Sequence, residues 1–377
     1  LSVRAGLTVA STGGREVTTI HGTPGQRISF LGGGAGIVGV TMTGSGSPML
    51  SANTNWNTEE AIVRDCDFLG GHHALSYGTY HVASSRFLGQ THTAIEVTAL
   101  RLRLTDCEIV GTGSSAAIDG SYAYYDQGGG EIEMTRCLVT GCGGKPAIEV
   151  ALGGSVVQVS ILLRDSLIVQ NGGDGLHIVN GQSTVAFTID GCTIAGNGGV
   201  GVRDGDLAST VIRSSIIAGN LGGDFTGHGV ATNSLIQVGA SGVGGAGSLA
   251  GDPRFVDPAG GDWSLRFDSP CLDRGDPTMV RQDYSGRQRV VDSDLDLAAR
   301  PDMGALEHAT LVGPNDAVLG QSFELGVTGP AGGFSTIIVS PLGFASFGAS
   351  TIYGRLFLEP QGSFRVTPVL TTGGGPT

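Results

Sequence analysis

The chain holds 377 residues, 40% of them hydrophobic, so it is long enough for two or three domains and apolar enough to bury a substantial core. Its 66 glycines follow no Gly-x-y period, which excludes collagen, and a charged fraction of 15% with so much apolar content excludes a disordered polymer. A net charge of −13 argues against nucleic acid or anionic lipid as partner, and no run reaches the about 18 apolar residues of a membrane span.

From residue 8 to 240 the chain repeats. The segments VRDCDFLGG, VASSRFLGQ, LTDCEIVGT, MTRCLVTGC, LRDSLIVQN, IDGCTIAGN and IRSSIIAGN align without gaps on Cys66, Ser85, Cys107, Cys137, Ser166, Cys192 and Ser215, and Val40 and Ser234 extend the column. Three residues before the column every row is apolar, from Ile37 and Val63 to Ile212 and Ala231, and two residues after it every row is apolar again, from Met42 and Phe68 to Ile217 and Ile236. Apolar positions flanking a small or thiol residue read as one inward-facing strand, and a second strand follows nine to eleven residues on, with Leu75, Ile95, Ile118, Ile148, Leu176 and Val202 facing inward. Rows recur about every 24 residues and are punctuated by Gly, too short for the usual helical repeats. A single row cannot bury its apolar face, whereas stacked rows build a continuous core, so the expected fold is all-β, a right-handed parallel β-helix. The middle rows carry the longest excursions, expected to form a rim of loops.

On the second strand the residue after each inward aliphatic points outward, giving Ser76, Glu96, Asp119, Glu149, His177 and Arg203 on consecutive rows. Three stacked carboxylates repel one another unless a cation, a proton or a substrate offsets them. Two readings stand: a solvated face with splayed side chains, or a cluster that binds calcium or acts as general acid and base on a sugar, with Glu96, Asp119, Glu149, His177 and Arg203 as the catalytic set. Tyr122, Tyr124 and Tyr125 follow Asp119 and would present an aromatic platform to a sugar face, unless they cap a loop against the body of the repeat. His72, His73 and His92 fall on adjacent rows within reach of Glu96, but their spacing matches no zinc signature and they read more simply as turn histidines. The column cysteines read as a buried small-residue ladder, in which Cys107 and Cys137 fall on neighbouring rows within disulfide distance if their Cβ vectors cooperate.

Three stretches lie at the ends. Residues 8–43 contain STGGREVTTIHG, and residues 251–276 read GDPRFVDPAGGDWSLRFDSPCLDRGD, followed by RPDMGALEH. Asp292, Asp294 and Asp296 between them form a D-x-D-x-D run, either a calcium-binding turn or a plain acidic one, lacking the Gly and terminal Glu of an EF-hand loop. From residue 310, runs such as SFELGV, STIIVS, RLFLEP and SFRVTP alternate between Gly and Pro turns, the pattern of a small β-sandwich, expected to be incomplete. The expected organisation is thus a β-helix over 1–240, a cap module over 241–309 and a sandwich-like segment over 310–377.

The STGG-x-EVTTI-x-G stretch resembles the opening coils of bacterial secreted right-handed parallel β-helix proteins, whose upstream coils would then be missing. Residues 251–307 resemble the terminal module of the same family, DP-x-FVD, GD-x-x-L, SP-x-x-D-x-G and D-x-GA-x-E, matched by Asp252, Pro253, Phe255, Val256, Asp257, Gly261, Asp262, Leu265, Ser269, Pro270, Asp273, Gly275, Asp302, Gly304, Ala305 and Glu307. The resemblance implies an exported bacterial protein, secreted or at the cell surface, and carries no single activity and no catalytic residue.

The fold hosts both polysaccharide-cleaving enzymes and binding modules. The paired-Asp and Arg-x-Lys motifs of galacturonan hydrolases are missing, since Lys145 has no such neighbour, and an acidic chain disfavours a polyanionic substrate. The leading expectation is a carbohydrate- or partner-binding surface module, monomeric, requiring no cofactor, with calcium the ion its carboxylates would accept. The alternative is a polysaccharide lyase or glycoside hydrolase working through the outward column.

Overall fold

The computed structural model describes residues 2–23, 28–31, 34–44, 48–53, 60–76, 78–97, 101–113, 115–123, 130–153, 158–180, 184–205, 208–238, 244–266, 268–289 and 299–308, and further on 311–312, 326–327, 353–358 and 364–369. The described residues contain strands and turns and no helix, hence none long and apolar enough to cross a membrane. Residues 1–307 form one compact unit and residues 308–377 a second.

The first unit is a parallel β-solenoid. Three sheets of ten strands each run its length, and every third strand in sequence is a neighbour in space. The first sheet runs from Ser2–Arg4 to Phe225–Thr226, the second from Thr8–Ala10 to Gly229–Thr232, and the third from Thr19–Gly22 to Leu235–Ile236. One continuous core fills the interior: Val63, Val82, Leu104, Met134, Leu163 and Ile189 from the second sheet meet Phe68, Phe87, Ile109, Val139, Ile168 and Ile194 from the third, and the Leu75 to Val202 row closes it from the first. Register repeats residue type on residue type, so that Phe87 sits between Phe68 and Ile109, and the Phe68 and Phe87 rings stack 4.9 Å apart.

The Ser/Cys column is a corner, which corrects the single strand expected across it. Asp65, Ser84, Asp106, Arg136, Asp165, Ser214 and Asn233, each one residue before the column, have φ between +46° and +54°, and this left-handed step ends one strand and starts the next. The bend takes backbone groups out of the ladder, and the small polar side chain after it recovers them. Ser85 Oγ accepts from the Cys66 amide and donates to the Ala83 carbonyl, and Ser166, Ser215 and Ser234 do the same one coil on from Cys137, Cys192 and Ser215. The thiols substitute weakly: Cys66 Sγ lies 3.2 Å from the Arg64 carbonyl. A second corner, five residues beyond the column, is held by a buried amide ladder. Asn171 Nδ2 donates to Asn197 Oδ1, Asn197 Nδ2 to Asn220 Oδ1, and Asn220 Nδ2 to Asp224 Oδ1, at 2.8–2.9 Å.

The described residues of 251–307 fold back along the outside of the third sheet as a strap. Leu167, Val169, Ala195, Ile216, Ala218 and Leu235 lie beneath it, packed against Trp263, Leu265, Leu272, Met303 and Ala305. Gly304, at φ +96°, comes so close that an added Cβ would stand 2.8 Å from Thr193 Oγ1, while its amide donates to the Ser214 carbonyl. An ion network pins the strap. Arg289, fully buried, donates from Nε to Asp165 Oδ1 (2.8 Å) and from Nη1 to Glu307 Oε1 (2.9 Å), and Arg281 holds Asp165 Oδ2 (2.5 Å) and Asp190 Oδ2 (3.1 Å). Five residues of the terminal pattern partner one another here: Asp302 accepts from the Asp273 amide, Glu307 from the Asp302 amide, and Ser269 Oγ donates to the Pro253 carbonyl.

In the second unit, Tyr353–Leu358 pairs antiparallel with Phe364–Val369, and Leu311–Val312 with Gly326–Val327.

Candidate functional site

The first sheet carries the outward polar column in strict register. Ser76 pairs with Glu96, Glu96 with Asp119, Asp119 with Glu149, Glu149 with His177, and His177 with Arg203. The inward neighbours, Leu75 through Val202, are fully buried, and alternation along each strand therefore turns the next residue outward. Glu96, Asp119, Glu149, His177 and Arg203 are all half-buried, and Ser76 at the head of the line is buried.

Electrostatics differ along the column. Burial pushes the Glu96 carboxyl up and the charge of Asp119 pushes it further, against a smaller pull from His72. Glu149 Oε1 stands 3.9 Å from His177 Nδ1, close enough for attraction when the imidazole is charged. Arg203 is engaged elsewhere: Nε and Nη2 donate to Asp174 Oδ2 and Oδ1 at 2.6 and 3.3 Å, and the same carboxylate accepts the Val200 amide. Burial raises the Asp174 carboxyl, but the Arg203 guanidinium and that amide outweigh it and leave the group below its ordinary value. The column is thus a line of acceptors ending in a histidine, with its arginine bound sideways to the turn of the preceding coil.

At the acidic end stand the histidines. The His72 and His92 rings stack at 3.8 Å, His73 meets His72 edge-on at 4.4 Å, and His73 Nδ1 lies 3.2 Å from the Thr93 carbonyl. Burial and the neighbouring imidazoles hold His72 and His73 below the usual imidazole value, with Glu96 and Asp119 opposing. Among the described residues no three His, Cys, Asp or Glu side chains converge to hold a metal ion, so the column is a row of acceptors and the histidines form a stack.

Tyr122 belongs to a strand, Ile118–Ala123, in register with Leu152, where a rim loop was expected. The excursions of the middle rows are partly longer strands: Ile118–Ala123, Ile148–Gly153 and Leu176–Asn180 in the first sheet are followed in sequence by Gly130–Thr135, Gln158–Arg164 and Thr184–Asp190 in the second. Tyr124, Tyr125, Asp292, Asp294 and Asp296 lie outside the described residues.

Sequence reasoning missed Asp174, the Asn171–Asn197–Asn220 ladder and the Asp165–Arg281–Arg289 network. The ladder had a signal, since QN, GN and GN recur five residues after Ser166, Cys192 and Ser215. Asp174 and the two arginines had none, because their partners are remote in sequence. No family model, no curated protein and no solved structure matches the chain.

Proposed function

We propose that this chain is an exported bacterial β-helix module, secreted or at the cell surface, that binds a carbohydrate or a surface partner through the first sheet. The observation that carries the reading is the unbroken in-register run of Glu96, Asp119, Glu149 and His177 on adjacent coils. Such a row spaces hydrogen-bond acceptors about 4.8 Å apart along a rigid sheet, a comb suited to the hydroxyls of an extended glycan. Export rests on the likeness of residues 251–307 to the terminal module of exported β-helix proteins. Binding is favoured over cleavage because Arg203, the one cationic side chain in the column besides His177, is already held by Asp174 in two hydrogen bonds. The reading requires no cofactor.

The test is a panel of soluble polysaccharides assayed for retention by the protein and for release of reducing and unsaturated ends, with calcium and after chelation. Retention of at least one glycan, weakened about tenfold or about 1.4 kcal/mol by Glu149→Ala without product release, is the expected outcome. Product release abolished by the same substitution would replace the binding reading with an enzymatic one. No retention of any glycan would remove carbohydrate as the ligand.

A further inference from the structure

The corner column holds four of the six cysteines, all of them free and buried. Cys66 is flanked along the column by Val40 and Ser85, and Cys192 by Ser166 and Ser215. Cys142 occupies the other corner, where the Asn171 side chain accepts its amide, and Cys271 lies in the strap. Cys107 and Cys137 alone are column neighbours. Register is unbroken on both sides of them, Thr105 with Thr135 and Glu108 with Leu138, and the Leu138 amide donates to the Cys107 carbonyl at 2.9 Å. Their preceding residues share one backbone conformation, Asp106 at φ +54° and Arg136 at +50°, so both cysteines sit at the same point of the corner. An ion pair clamps the same two coils, with Arg136 Nε and Nη2 donating to Asp106 Oδ1 and Oδ2 at 2.7 and 2.9 Å.

We propose that Cys107 and Cys137 form a cross-coil disulfide when the chain folds in an oxidising compartment. In-register parallel neighbours lie about 4.8 Å apart, inside the Cα window of about 4.4–6.8 Å that a disulfide accepts. In the folded corner Cys137 beside it holds the Cys107 thiol below the ordinary value, whereas burial pushes the Cys137 thiol up. The oxidant is a small-molecule disulfide such as oxidised glutathione. Cys107 thiolate attacks one of its sulfurs and expels one glutathione thiolate, which takes up a proton. Cys137, deprotonated in turn, displaces the second glutathione from Cys107, so two thiol protons and two electrons pass to two glutathione molecules as the Cys107–Cys137 bond forms. The native corner shields both sulfurs, and closure therefore accompanies folding. This inference is independent of what the first sheet binds.

The experiment refolds the full chain from denaturant in oxidised glutathione, then denatures, alkylates and weighs it. The expected result is four alkylated cysteines, a single cross-linked peptide pair containing Cys107 and Cys137, and an unfolding midpoint that falls on adding reductant. Cys107→Ser, a residue the column already carries at Ser85 and Ser166, should retain five alkylatable thiols and a midpoint indifferent to reductant. If refolding fails, native protein held in oxidised glutathione with urea below its midpoint gives the same readout. Six alkylated cysteines in soluble, folded protein, or cross-links distributed over other pairs, would overturn the proposal.

Discussion

At the scale of single residues, the corner column shows how a side chain can be chosen by the backbone beside it. A left-handed step at Asp65, Asp106 or Asp165 strips the ladder of two partners, and a hydroxyl or thiol immediately after it is the smallest group that restores them. The column was visible in the sequence because burial keeps it small. Its role was not, because Asp, Ser, Arg and Asn enter the left-handed region there in seven rows, and Gly, which would have announced a bend, stands there only at Gly39 and Gly191. The histidine stack gives a prediction at this scale. His73 is held below its ordinary value, so the unfolded chain binds the proton more readily and stability must fall as pH drops below about 6.5. Urea midpoints measured at pH 7.5 and pH 5.5 should separate more for the natural chain than for His73→Asn. Equal separation would mean that the stack does not feel the proton.

At the scale of elements, the third sheet shows two kinds of strand. Arg86–Leu88 and Glu108–Val110 alternate between buried and half-exposed positions, while Leu167–Val169, Thr193–Ala195 and Ile216–Ala218 are buried throughout. The runs LIV, TIA and IIA, apolar but for Thr193, whose hydroxyl accepts the Ala305 amide, therefore announce a covering layer, and the strap is that layer. Which segment supplies it was not legible, since nothing local links Arg289 to Asp165 across 124 positions. Replacing Arg289 by Met leaves Glu307 buried without its cation, while Asp165 keeps Arg281. Loosening of the strap by about 3 kcal/mol is expected, read as faster hydrogen exchange and proteolysis within 251–307 while the coils before Leu138 stay protected. Uniform loss of protection along the solenoid would show that strap and coils are one cooperative element.

For the whole molecule, the repeat, the inward rows and the polar column were readable because they recur once per coil and each recurrence checks the last. Coils and strap together form one compact unit over residues 1–307, and the remaining 70 residues form their own. A chain ended after Glu307 should accordingly keep the unfolding midpoint of the solenoid transition in the intact protein. A shift of several degrees in calorimetry would show that the second unit supports the first.

The strap also makes the order of folding unequal along the chain. Coil contacts bridge short intervals, 19 residues between Cys66 and Ser85 and 30 between Asp106 and Arg136, whereas Arg289 reaches back 124 to Asp165 and Gln170 reaches forward 88 to Pro258. Short loops close first, and the surface that receives the strap exists only once strands from three neighbouring coils are stacked. Until then Leu167, Val169, Ile216 and Ala218 face water as a contiguous apolar stripe, open to any other chain with a similar need. The strap, synthesised after every coil it covers, thus closes over the stretch of solenoid that stays open to aggregation longest.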